Sequence, residues 1–300
     1  MSRSPYWILG LSLLGISFAG PLVRLSNADA AVIAVWRLGF SLGIVVVFLA
    51  TTGEWRELTS MRRRDMALAV FAGVALAFHF WAWNASIHLT TIAASVTLVS
   101  LQPAVVATLS AISLREVPSF RQIIGIAIAI VGAFVIAAPD LSAGSTASGN
   151  NQSLGNLLAI SAALTAAAYY TIGRRLRSGL GVWAYVAIVY AAAFLTLVGV
   201  TVARDVPLGP QPPGEIAIFA GLAIGPMLIG HTGMNWALKF LPAYVVNLTV
   251  LGEPVGATIL GALIPSIRQI PSLITAVGGA IVLTGVIVAA PRTGPQPAGR

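Results

Sequence analysis

The sequence predicts an all-α polytopic membrane protein, with ten transmembrane helices arranged as two inverted five-helix repeats around a central cavity. Three observations carry this expectation. Hydrophobic residues make up 57% of the 300 positions and charged residues only 9%, outside the range of soluble domains. The apolar runs extend over roughly 19 to 25 residues, enough for a helix to cross a bilayer core, whereas outer-membrane strands would alternate over about ten. Finally, Phe80–Pro139 recurs weakly but in order as His231–Pro291. Asn84 falls on Asn235, His88 on Lys239 and Gln102-Pro103 on Glu253-Pro254, and after a short gap GAFVIAAP from Gly132 matches GVIVAAP from Gly285. A repeat of this kind in an apolar chain points to a carrier built from two homologous halves with its site between them.

Apolar runs between charged or Gly/Pro breaks place the spans at 6–25, 30–51, 66–87, 91–114, 120–138, 154–173, 181–203, 215–238, 242–263 and 270–290. Span 1 follows Arg3 and ends in SFAGP, which has the look of a signal peptide, yet span 6 requires a first-half counterpart. Span 2 carries Trp36-Arg37, and Arg37 is expected to snorkel to the external interface, with attraction of an anionic substrate group as the alternative. Span 3 holds the ring-rich segment FHFWAW, and Phe80, Asn84 and His88 follow one helical face. His79 and Trp83 form a neighbouring i, i+4 pair, where a ring facing a cavity could stack on an apolar substrate and a ring facing a helix would only pack. Span 4 contains Gln102 before Pro103, and a kink is expected there. Span 5 carries Gly125, Ala129 and Gly132, small residues that permit close helix packing.

Span 6 carries Tyr169-Tyr170, with Tyr170 retained as a candidate for the substrate pathway, and span 7 carries Tyr190. In span 8, His231, Asn235 and Lys239 repeat the stripe of span 3. Asn84 and Asn235 each offer two donors and a carbonyl acceptor, suited to an amino acid's carboxylate or ammonium; interhelical hydrogen bonding is the plainer role. His88 and Lys239 lie at span ends, where snorkelling is expected. Span 9 carries Glu253, the one acidic residue deep in a span, directly before Pro254. It can brace the kinked helix, hold a substrate ammonium or carry a coupling proton, and Gln102 is its first-half counterpart. Span 10 repeats the small residues of span 5 at Gly278, Gly279 and Gly285.

Lys and Arg are retained on the cytoplasmic side. With the N-terminus inside, thirteen of the seventeen basic residues lie inside and only Arg24, Arg37, Arg204 and Arg268 do not. An odd number of spans per repeat turns the second copy over, so equivalent loops should carry opposite bias. They do: Arg62-Arg63-Arg64 follows span 2 while only Arg204 follows span 7, and Arg174, Arg175 and Arg177 follow span 6 where the loop after span 1 has Arg24 alone. Both termini are thus expected in the cytoplasm. The expected organisation is residues 1–140 as the first repeat, 141–153 (LSAGSTASGNNQS) as an external linker, 154–291 as the inverted second repeat and 292–300 as a tail.

The stretches SLQPAVVATLSAISLREVPSFRQIIGIAIAIVGAFVI, from Ser100 to Ile136, and LGEPVGATILGALI, from Leu251 to Ile264, resemble the EamA repeats of the drug/metabolite transporter superfamily, in which a Pro-bearing helix leads into a Glu-bearing loop and a Gly-spaced final helix. Arg115-Glu116 fits the loop element, whereas Pro265-Ser266 replaces it in the second half. The ring-rich third span is similar to that of the bacterial aromatic amino acid exporters in that superfamily. The resemblance implies a secondary carrier of the bacterial cytoplasmic (inner) membrane that exports a small metabolite by alternating access, with spans 5 and 10 as supports outside the cavity. The expected cargo is an aromatic or other apolar amino acid, or else another amphipathic metabolite or drug.

The substrate-binding residues expected from the sequence are His79, Trp83, Asn84, Gln102, Tyr170, His231, Asn235 and Glu253. An intramembrane enzyme would need clustered acids for a metal, or a nucleophile with its base, and the sequence presents neither. No cofactor is expected: the chain has no cysteine, and its three histidines lack metal-ligand spacing. The net charge of +8 reflects loop bias and not a nucleic-acid partner, so the expected partners are the small-molecule substrate and the lipid bilayer, with a homodimer left open.

Overall fold

The computed structural model describes residues 5–90, 92–142, 151–268 and 272–290. Most of the expected linker and all of the expected tail therefore lie outside the described residues. Eight helical segments are long and apolar enough to cross a membrane, and two shorter apolar helices, Phe120–Ile136 and Leu273–Ala289, complete the series.

In chain order, span 1 is α1 (Pro5–Ser17) and α2 (Ala19–Leu25), span 2 is α3 (Ala30–Thr52), and α4 (Trp55–Thr59) lies in the loop before span 3, α5 (Arg63–Leu89). Span 4 is divided into α6 (Ile92–Val99) and α7 (Gln102–Ser113), and span 5 is α8 (Phe120–Ser142). In the second half, span 6 is α9 (Gln152–Arg177) and span 7 is α10 (Val182–Ala203). Span 8 runs through α11 (Pro213–Leu222), a π-helical segment (Ala223–Thr232) and α12 (Gly233–Ala237); span 9 is α13 (Ala243–Leu251) and α14 (Glu253–Leu263), and span 10 is α15 (Leu273–Ala289).

The expected kinks are present at equivalent places. Span 4 breaks at Ser100-Leu101 and span 9 at Gly252, so that Gln102 and Glu253 each open the second piece, with Pro103 and Pro254 in its first turn. Proline has no N–H to give the carbonyl four residues back, so neither Val99 nor Val250 can make the usual helical pair with the proline. The π-helical segment of span 8 was not legible in the sequence. Pro226 lies inside it, where the widened turn accommodates the missing donor. It packs on span 1 so closely that a Cβ on Gly15 would stand 2.7 Å from the Gly225 carbonyl oxygen and 2.9 Å from the Gly230 nitrogen.

The contacts that loop carboxylates make between the halves sort onto two faces, as alternating crossings require. On one face, the Glu116 carboxylate after span 4 meets Arg174 at the end of span 6 at 2.7 Å and accepts from the Ala243 N–H, at the start of span 9, at 3.2 Å. On that face too, Glu54 accepts from the N–H groups of Trp183 and Ala184 at 2.7 and 3.0 Å, and Glu57 accepts from Gly181 at 2.6 Å. These carboxylates cap span 7 at its positive dipole end. On the other face, Glu215 at the start of span 8 accepts from Ser26 Oγ at 2.5 Å and from the Asn27 N–H at 2.8 Å, and Asp29 lies 3.6 Å from Arg204.

Spans 5 and 10 pack against each other as an antiparallel pair. Gly125 abuts Gly285 and Gly132 abuts Gly278, with an added Cβ at any of the four falling within 2.8 Å of the opposing carbonyl oxygen. Contact this close is open only to glycine, and it fixes the pair as a scaffold at one side of the bundle.

Candidate functional site

A central cavity lies between the halves. From the first half it is lined by Ile16 and Ala19 of span 1, Arg37 of span 2, His79, Phe80 and Trp83 of span 3, and Val99 and Gln102 at the break of span 4. From the second half come Tyr170 of span 6, His231 and Met234 of span 8, and Val250 and Glu253 at the break of span 9. Spans 5, 7 and 10 contribute nothing to this wall. Its free volume is about 30 Å³, room for a water or two, so a solute of amino acid size enters only when the walls part.

The rings form one cluster. Phe80 and His231, equivalent in the repeat, meet edge to face with centroids 5.2 Å apart, which places the pseudo-two-fold axis between them. His79 stands 6.0 Å from His231, and Tyr170 stacks on His231 at 6.1 Å. Tyr170 Oη and His231 Nδ1 are hydrogen-bonded at 3.0 Å. His79 Nδ1 lies 3.0 Å from the Ala162 carbonyl oxygen, which can only accept, so this nitrogen carries the proton and the Nε2 side is left for the cavity. Gln102 donates through Nε2 to Asn247 Oδ1, tying the two broken spans together, and Asn247 in turn donates to the Ala243 carbonyl at 2.9 Å.

Six of the eight residues expected from the sequence line this cavity: His79, Trp83, Gln102, Tyr170, His231 and Glu253. Asn84 and Asn235 do not, and make interhelical hydrogen bonds, the plainer of the two roles expected for them. Asn84 is fully buried and donates to the Ala30 carbonyl at 3.0 Å, joining spans 2 and 3. Asn235, also fully buried, donates to Tyr169 Oη and, at 2.8 Å, to the His231 carbonyl. Each sits one helical turn beyond its ring and bonds a neighbouring helix, so the stripe shared by both repeats passes from cavity wall to helix contact at the asparagines. His88 and Lys239 are exposed at the span ends, as expected.

Arg37 requires a correction. It does not snorkel outward: its side chain is fully buried, and its guanidinium carbon lies 4.0 Å from the centroid of the Phe80 ring. The face of α3 that bears it packs on span 8, where Nη2 lies 4.0 Å from Met227 Sδ, so lipid is out of reach. The signal was present in the sequence as a charge two turns inside an apolar run, a position that favours a functional reading over an anchoring one. Glu253 is 7% exposed, opens onto the same cavity and makes no hydrogen bond or ion pair among the described residues.

The sequence profile of the EamA-like transporter family matches residues 5–138 and 153–290, which is nearly all of the described chain and both halves separately. The chain belongs to the EamA-like transporter family. An uncharacterized transporter of Archaeoglobus fulgidus is 26% identical over 94% of this chain and 97% of its own. A solved crystal structure superimposes with a TM-score of 0.76 over 95% of this chain and 96% of that one, at 17% identity; the likeness is one of fold. This EamA-like chain is therefore a multi-pass membrane transporter, and spans from both family repeats converge on its central cavity.

Proposed function

We propose that this EamA-like transporter is a secondary carrier for aromatic or other apolar amino acids, moving them out of the cytoplasm by alternating access. The observation that carries the reading is the wall of the central cavity: rings of Phe80, Trp83, Tyr170 and His231 beside the carboxylate of Glu253 at a helix break. Rings offer broad stacking area to an apolar side chain, while the carboxylate offers an acceptor to an ammonium group. The small free volume of the cavity supports a cycle in which the walls open to one face at a time. The charge bias of the loops supports cytoplasmic termini, with residues 1–140 and 154–291 as the two halves that move.

The test is a screen of labelled amino acids in liposomes containing the purified protein, with and without a proton gradient. Phenylalanine, tyrosine, tryptophan or leucine should equilibrate faster than in protein-free vesicles. Absence of flux for all twenty amino acids would overturn the reading, and flux of an amphipathic amine or drug in their place would transfer the cavity to that cargo.

A further inference from the structure

We propose that Arg37, assisted by Trp83, is the anchor for the carboxylate of the cargo, so that the cavity holds a zwitterion by both of its charges. This inference rests on the amino acid reading above. Arg37 has no exposed surface, yet its Nε and Nη1 atoms have no acceptor among the described residues, and the indole Nε1 of Trp83, only 4% exposed, has none either. Both side chains line the same cavity. Buried donors almost always find a partner, and buried donors of a guanidinium left without one are costly, so three unpartnered donor nitrogens on side chains that line one cavity mark the place of an anion. The guanidinium carbon lies 4.0 Å from the Phe80 centroid and Nη2 is turned to Met227 Sδ, so Nε and Nη1 are the donors left for a carboxylate.

Glu253 lines the same space, but no ion pair within 4.0 Å joins it to Arg37. Two opposite charges held apart in one cavity suit a ligand carrying both: the carboxylate on Arg37 and Trp83, the ammonium towards Glu253. A neutral amide of the same amino acid keeps the ring and the ammonium and loses only the anion.

The experiment compares phenylalanine with phenylalanine amide as competitors of labelled phenylalanine flux in liposomes, for the wild type, Arg37→Lys and Arg37→Gln. In the wild type the amide should compete about tenfold or more weakly, the effect of losing hydrogen bonds to a charged group. Arg37→Lys should keep a reduced preference for the acid, and Arg37→Gln should abolish it, with both variants eluting as monodisperse protein. A wild type that transports phenylalanine but treats acid and amide alike would overturn the assignment of Arg37 while leaving the amino acid reading intact. A wild type with no flux of any amino acid would overturn that reading and this one with it. The wild-type comparison needs no variant to fold.

Discussion

Glu116 is the residue whose removal should most change how the carrier opens. Its carboxylate, 19% exposed, meets Arg174 at 2.7 Å and accepts from the Ala243 N–H at 3.2 Å, while Arg174 donates in turn to the Leu238 carbonyl at 2.6 Å. One side chain of the first half thus holds spans 6, 8 and 9 of the second together on the face assigned to the cytoplasm. An exposed ion pair contributes up to about 1 kcal/mol and hydrogen bonds to charged groups contribute roughly 1.5–3 kcal/mol. For this partly buried pair with its extra donor, Glu116→Ala should cost the closed state about 2 kcal/mol, which corresponds to a roughly 30-fold rise in the open-to-closed ratio on that face. The chain has no cysteine, so Ala19→Cys places a single thiol in the cavity wall. While opening remains rare, its reaction with a membrane-impermeant maleimide follows the open population. The rate from the cytoplasmic face should rise by about that factor, and a cycle with Arg174→Ala should show the two effects to be coupled. A rate within twofold of the Ala19→Cys parent, or a rise from the opposite face instead, would refute the reasoning.

Three further outcomes follow from the packing and the site. Gly285→Ala should destabilise the protein by about 1–3 kcal/mol, the usual cost of overpacking, because the new methyl meets the Gly125 carbonyl oxygen and the Ala129 Cα at 2.6 and 2.8 Å; thermal unfolding in detergent reads it, and an unchanged midpoint would contradict the glycine contact. Asn235→Ala should lower that midpoint by the equivalent of about 1 kcal/mol and leave the half-saturating substrate concentration within threefold, whereas a selective loss of affinity at full stability would return Asn235 to the cavity wall. Glu253→Gln should remove any accumulation driven by a pH gradient and keep exchange, and a wild type indifferent to the gradient would rule out proton coupling at this carboxylate.

The repeat, the ten crossings and the two kinks were legible because each rests on a local rule: length of apolar run, charge by side, and proline with no N–H to give. The glycines of spans 5 and 10 were legible for the same reason, since only missing side chains allow two helix backbones to touch. Residue direction was harder. Helical spacing put Phe80 and Asn84 on one stripe, but a helix in a ten-helix bundle has neighbours all round, and one turn along the stripe is enough to exchange cavity for helix contact. Arg37 was misjudged because depth along span 2 was weighed and facing was not; facing depends on span 8, nearly two hundred positions later in the chain. The π-helical turn around Pro226 left no periodic trace, since it arises from the packing of span 8 against Gly15 as much as from its own sequence.

The central claim is that solute crosses through the space between the two repeats. It is tested most directly by modifying Ala19→Cys with a maleimide in liposomes active for phenylalanine flux. Phenylalanine should slow the modification, and completed modification should stop the flux, because the bulky adduct fills a cavity with about 30 Å³ of free volume. Full flux through fully modified protein would contradict the claim and move the pathway elsewhere.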